Sequence, residues 1–235
     1  MANSEDVTAP VRPLIAEAIE GALTDRKLLT HPFYRRWEAG ELSMDELAAY
    51  SRRYRQFEEA LPGIIRSVAD GLEADGHSDA AGLVTQNLAD ELGNPEPHLV
   101  LFNRFADAVA AGEPSDGADD GRRSAADALV ATYGELVARG PVAGLAGLAA
   151  YETQAAAIAG SKADGLRRWY GIAAGGTEFW DVHATLDAEH GDWTVDALAA
   201  AGADPAEVQT AARQGADAWW AFLDEREAAA GVAAG

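Results

Sequence analysis

Apolar residues recur at alternating spacings of three and four along almost the whole chain. In the stretch from Ser43 to Asp70, Leu47, Tyr50, Tyr54, Phe57, Leu61, Ile64 and Val68 paint one apolar stripe on a helix. Ser43 followed by Glu46 reads as a capping box that starts this helix. Asp204-Pro205-Ala206-Glu207 marks a second start, where proline at the first helical position loses no hydrogen bond, and it opens a last helix towards Arg226. Between these the pattern predicts helices at 11–23, 30–38, 78–92, 97–111, 123–139, 141–171 with a break near Gly160-Ser161, and 177–190. Period-two strand patterns are absent. Gly112 to Gly121 is rich in turn formers and acids, as an exposed loop is, and is too short for a domain linker. The expectation is an all-α fold: a single domain over 1–235, a bundle of seven or more helices, with residues 1–10 peripheral.

Composition narrows what such a bundle does. With no cysteine, disulfides, thiolate metal sites and cysteine nucleophiles are excluded, so any metal must sit on His, Asp and Glu. The 39 acidic residues outnumber 18 basic ones, and a net charge of −21 is the wrong sign for nucleic acid or an anionic membrane. Only Lys27 and Lys162 are lysines. An acidic, alanine- and glycine-rich, lysine-poor chain suits a surface kept hydrated in concentrated salt, with an acidic protein of ordinary habitat as the alternative. No long apolar run and no signal-peptide pattern is present, which predicts a soluble, cytoplasmic protein.

Three places along the chain concentrate chemistry. In His183-Ala-Thr-Leu-Asp187-Ala-Glu-His190, a turn of about 100° per residue puts positions 183, 187 and 190 within an arc of about 60°. Two imidazoles and a carboxylate on one face suit iron or manganese; a polar face with incidental histidines is the plainer alternative. A helix ending at Glu91 and a proline-bracketed turn delivering His98 bring a carboxylate and an imidazole to one corner, although either could be an ordinary surface or first-turn residue. Glu152 follows the nearly uncharged stretch 140–151, and a carboxylate inside an apolar helix is costly unless it is paired, coordinates a metal or reaches water at the helix edge. Together Glu91, His98, Glu152, His183, Asp187 and His190 are enough nitrogen and oxygen donors for two ions. The paired Glu-x-x-His motif of ferritin-like di-iron proteins does not occur.

This order of motifs, Glu-x6-His, a later Glu and then His-x3-Asp-x2-His, resembles the haem-oxygenase-like di-metal oxidases. The run His31-Pro32-Phe33-Tyr34, then Leu47-Ala-Ala-Tyr50, and the stretch from Asn87 to Gly112 with Phe102 and Phe105 are similar to one branch, that of the Chlamydia protein associating with death domains. The likeness runs from about Leu28 to Trp193. It implies a seven-helix fold holding two metal ions, iron or iron with manganese, on the six residues above, with dioxygen as co-substrate and an external reductant. It further implies a para-aminobenzoate synthase serving folate synthesis, in which the protein's own tyrosine supplies the ring and a lysine the amine. The matching positions are Tyr34, with Tyr50 beside it, and Lys162; each also has an ordinary structural reading, as a packed tyrosine or a solvated lysine. Di-iron decarboxylases or lyases acting on a free fatty or amino acid are the enzymatic alternative, and a partner-binding helical protein without catalysis is the other. Haem oxygenases would need a proximal histidine near the N-terminus, for which His31 is the sole candidate. A homodimer is compatible with all of these.

The charge imbalance makes its own prediction. Thirty-nine acidic side chains repel one another most at low ionic strength, where screening is weak. Thermal unfolding followed from dilute to molar potassium chloride should show a rising Tm; a flat or falling Tm contradicts the salt-adapted reading.

Overall fold

The computed structural model describes residues 11–93, 96–110 and 124–233. Its helices are α1 (Val11–Leu23), α2 (Pro32–Ala39), α3 (Met44–Ala74), α4 (Ser78–Gly93), α5 (His98–Val109), α6 (Ala125–Arg139), α7 (Pro141–Tyr170), α8 (Ala174–Ala200) and α9 (Pro205–Ala233). A short 3₁₀ turn, Leu28–Thr30, precedes α2. No strand occurs among the described residues, as the periodicity predicts. The expected loop at 112–121 and the polar residues 1–10 lie outside the described residues.

Local chemistry sets the helix starts. Ser43 Oγ accepts from the Glu46 amide, and Glu46 Oε2 accepts from the Ser43 amide at 2.7 Å, closing the predicted capping box. Asp204 Oδ1 accepts from the amides of Ala206 and Glu207 ahead of Pro205. Ser124 and Asp127 form another box at the start of α6. Gly40 ends α2 in the left-handed region, at φ 73°, which a Cβ disfavours.

The structure differs from two sequence expectations. The break near Gly160-Ser161 does not occur, and α7 runs unbroken from Pro141 to Tyr170. A glycine inside a helix costs about 1 kcal/mol, which packing readily offsets, and Gly160 faces Ala184 of α8. The helix expected at 177–190 is the middle of α8, which continues through Gly191 to Ala200. A Cβ at Gly191 would come within 3.1 Å of the Glu152 carbonyl oxygen, so this glycine lets two helices touch rather than ending one.

The helix pair α7 and α8 makes the most extensive contact in the fold. α3, α4, α5 and α9 pack around it, and the apolar stripe of α3 faces inward with Leu47, Tyr50, Tyr54, Phe57 and Val68 buried. α9 crosses α7 with Gly215 pressed on Gly147, where a Cβ would lie 2.7 Å from the Gly147 carbonyl oxygen. Among the described residues no helix is long and apolar enough to cross a membrane.

Backbone cannot yield at that crossing. Gly215→Ala should therefore destabilise the fold by about 1–3 kcal/mol in denaturant unfolding. Gly134→Ala, on an exposed turn of α6 with nothing within 4 Å of the added Cβ, should stabilise it by about 0.5–1 kcal/mol. Equal effects at the two glycines would show that the crossing is not close-packed.

Candidate metal centre

Four helices bring the six sequence-predicted donors together in the core. α4 contributes Glu91, the first turn of α5 His98, α7 Glu152, and one face of α8 His183, Asp187 and His190; all six are buried. They form two triads. Glu91, His98 and His183 offer donor atoms that lie within 4.8 Å of one another, and so do Glu152, Asp187 and His190.

Hydrogen bonds fix which imidazole nitrogen faces the interior. His183 Nδ1–H donates to the Phe179 carbonyl at 2.7 Å, one turn earlier on α8, leaving Nε2 directed at Glu91 Oε1, 4.0 Å away. His190 Nε2–H donates to Asp90 Oδ2 at 3.1 Å, leaving Nδ1 3.4 Å from Asp187 Oδ1. Neither His190 Nδ1 nor Asp187 Oδ1 has a hydrogen-bond partner. Glu91 Oε2 lies 3.0 Å from His98 Nδ1, and Asn87 donates to Glu152 Oε1 at 3.4 Å. The face of α4 bearing Asn87, Asp90 and Glu91 thus braces both triads.

The charges respond to this crowding. Burial alone would raise the Glu91 carboxyl, but the His98 hydrogen bond and the charges of His98, His183 and His190 hold it below its ordinary value. Burial pushes Glu152 up to about 7, with Asp187 and Glu91 adding to the effect against His190. For His190 burial works downward, but Asp187, Glu152 and Asp90 raise it to about 9. His183 is lowered by burial, and His98 adds to that.

The other three candidate residues form a second cluster beside the triads. Tyr34 of α2 and Tyr50 of α3 share a hydroxyl–hydroxyl hydrogen bond of 2.8 Å, and Lys162 Nζ donates to Tyr50 Oη at 2.7 Å. Lys162 is 2% exposed, which disposes of the solvated alternative for it. Its nitrogen sits 4.4 Å from the ring centre of Tyr34 and 4.0 Å from that of Trp180. Burial pushes the amine well below the usual lysine range. Tyr54 joins the clusters: its ring packs on Tyr50, its hydroxyl bonds that of Tyr151 at 2.8 Å, and both line a cavity with Glu91, Glu152, His183 and Asp187. That cavity measures about 10 Å³. His31 is spent elsewhere, with Nδ1 accepting from the Phe33 amide and Nε2 paired to Asp224, so it is a helix cap rather than a free ligand.

Sequence reasoning missed Glu58, Asp90 and Asn87. Glu58 carried a usable signal, since it lies four residues after Tyr54 and three before Leu61, on the apolar stripe of α3 where a charge is anomalous. Its carboxyl is 3% exposed and lines the same cavity. Asp90 and Asn87 carried none, because their role depends on which helix lies opposite.

Residues 68–223 match the family of iron-containing redox enzymes. The chain belongs to that family. Relatives within reach of sequence comparison include a 4-aminobenzoate synthase of Nitrosomonas europaea, 34% identical over 225 residues, covering 88% of this chain and 89% of that protein. A 4-aminobenzoate synthase of Chlamydia pneumoniae is 30% identical over 179 residues, covering 74% and 76% respectively. The fold matches the crystal structure of a TenA homolog from Pseudomonas syringae pv. tomato with a TM-score of 0.71, at 15% identity over 90% of this chain and 92% of that one. This member of the redox-enzyme family therefore has the all-helical haem-oxygenase-like fold.

Protonation sets a test of the site. A cation held by Glu152 and His190 must displace the protons that their raised values, about 7 and about 9, keep on them below those pH values. Affinity for Fe(II) or Mn(II), measured by anaerobic titration, should rise as pH rises from about 6 to 8.5, by about tenfold per pH unit for each proton displaced. A pH-independent affinity would exclude these two residues as donors.

Proposed function

We propose that this protein is an oxygen-dependent di-metal oxidase that makes para-aminobenzoate for folate synthesis from its own tyrosine, with Lys162 as amino donor. The observation that carries the reading is the sealed cluster of Tyr34, Tyr50 and Lys162, joined through Tyr54 to a cavity too small for an organic substrate. About 10 Å³ is room for one water-sized molecule. A fatty or amino acid does not fit there, which weighs against a decarboxylase or lyase acting on a free substrate.

The residues present suit two ions. His190 Nδ1 and Asp187 Oδ1 face each other at 3.4 Å in the core with no hydrogen bond between them, an ion pair only while His190 carries its proton, and a cation held by both would take that proton's place. Glu91, His98 and His183 would hold one ion and Glu152, Asp187 and His190 the other. The first triad has two imidazoles and the second has two carboxylates, a difference compatible with two irons or with iron and manganese. Such a pair, given electrons by an external reductant, supplies the activation of dioxygen.

The chain's own residues prepare the organic reactants. Desolvation in the aromatic cage favours Lys162 as the free amine, whose lone pair is what bond formation to carbon requires. Its hydrogen bond to Tyr50, and through Tyr50 to Tyr34, fixes the nitrogen over the Tyr34 ring, nearer its centre than that of Tyr50 at 5.1 Å. Burial also keeps the Tyr34 phenol protonated, its value lying well above the ordinary one, so the ring waits as a neutral phenol. The surrounding rings of Trp37, Tyr54 and Trp180 exclude water that would compete with the amine. In this reading the Tyr34 Cα–Cβ bond breaks and Cβ leaves with the ring as the carboxyl carbon, the phenolic oxygen departs as water as the Lys162 nitrogen takes its place and separates from Cε, and dioxygen is the oxidant.

Reduced, metal-loaded protein exposed to oxygen with no added substrate should yield para-aminobenzoate in no more than a single turnover per chain. Tyr34→Phe and Lys162→Arg should each abolish product while leaving metal content unchanged, and peptide mass spectrometry should map the lost mass to positions 34 and 162. Undiminished product in both variants, or many turnovers of an added fatty or amino acid, would overturn the proposal.

A further inference from the structure

We propose that Glu58 is a seventh protein donor of the metal centre, extending the six-residue set read from the motifs. The inference rests on the two-metal reading and adds a ligand from a helix, α3, that contributes none of the six. Glu58 lines the same small cavity as Glu91, Glu152, His183 and Asp187, so its carboxyl shares enclosed space with three other carboxyls and an imidazole. It is 3% exposed, and its Oε2 has no hydrogen-bond partner. Tyr54 is a hydrogen-bonding neighbour of the carboxyl, while Lys162 directs its hydrogen bond to Tyr50. No ion pair within 4.0 Å satisfies Glu58 among the described residues.

A buried acid in that position is difficult to explain as packing. Glutamine would fill the same volume without a carboxyl among carboxyls, and leucine would suit an apolar stripe better. A cation in the shared cavity gives the unpartnered oxygen a partner and offsets the repulsion that gathering Glu58, Glu91, Glu152 and Asp187 entails. The helical register adds a consequence. Tyr50, Tyr54 and Glu58 follow at i, i+4 and i+8 on one face of α3, so a single helix connects the residue bonded to the Lys162 amine with the edge of the metal centre.

Glu58→Gln keeps shape and hydrogen-bonding capacity while removing the negative charge. Anaerobic titration of wild type and variant with Fe(II) and with Mn(II), alongside the Tm of each form, separates the outcomes. Glu58→Gln should bind at least one ion more weakly, by tenfold or more as a rough floor set by what even outer-sphere partners contribute, and should gain less Tm on metal binding. The metal-free variant should be as stable as the metal-free wild type or more so. Equal affinities and equal metal-induced shifts overturn the role of Glu58 alone. Failure of the wild type to bind two ions overturns the two-metal reading and this role with it. If Glu58→Gln does not fold, Glu58→Asp decides: a retracted carboxylate should change the visible spectrum of the Co(II)-substituted protein, and an unchanged spectrum with unchanged affinity overturns the proposal.

Discussion

Carboxyl and imidazole groups withdrawn from water must find partners, and that requirement governs the middle of this molecule. Glu58, Glu91, Glu152 and Asp187 meet His183 in a space lined elsewhere by Tyr54, Phe57, Leu61, Leu148 and Tyr151, with His98 and His190 buried against the carboxyls. Removing one such charge from water costs several kcal/mol, to about the level of a small domain's whole stability margin when repeated. The imidazoles offset part of this, which is why Glu91 stays below its ordinary value. The remainder shows at Glu152, which burial and its neighbouring carboxyls push up to about 7, and in buried donor atoms without hydrogen bonds, while Asp187, Glu152 and Asp90 favour the charged form of His190. Two cations bound there would offset both features at once.

The rest of the architecture follows from the need to hold these groups still. α7 and α8 pack closely because Gly191 allows the Glu152 backbone to approach, so the two helices that carry four of the six donors are locked in register. α4 supplies Glu91 as a donor and uses Asn87 and Asp90 to orient Glu152 and His190, one helical face serving both triads. Such outer hydrogen bonds choose the nitrogen that faces inward and keep it there. Aromatic packing does the corresponding work for the lysine, whose amine is enclosed by Tyr34, Trp37, Tyr50, Tyr54 and Trp180. The two clusters meet at Tyr54, which packs on Tyr50 and lines the cavity of about 10 Å³ beside the triads.

Much of this was legible in the chain because the helical period carries both packing and chemistry. The stripe on α3, the capping box at Ser43 and the start at Asp204 follow from spacing and residue type, and the His183, Asp187 and His190 face follows from the turn per residue. At Gly160, where the sequence suggests a break, and at Gly191, past the predicted end of the helix at 190, small size serves contact between helices, information that resides in the opposite helix. Glu58 is marked in the sequence only as a charge on the apolar stripe of α3. Asp90 and Asn87 were illegible for a stronger reason: a polar residue on α4 acquires meaning only when α7 and α8 are known to lie against it. The Tyr34, Tyr50 and Lys162 assignment came from resemblance alone; their juxtaposition is a property of three helices that no local pattern encodes.

The proposed function stands or falls with two metal ions in the buried triads. Anomalous diffraction from crystals of the protein loaded anaerobically with Fe(II) or Mn(II) addresses it most directly. Two peaks about 3.5–4 Å apart are expected, one bounded by Glu91, His98 and His183 and the other by Glu152, Asp187 and His190. An empty interior, with metal bound only to surface carboxylates, would contradict it.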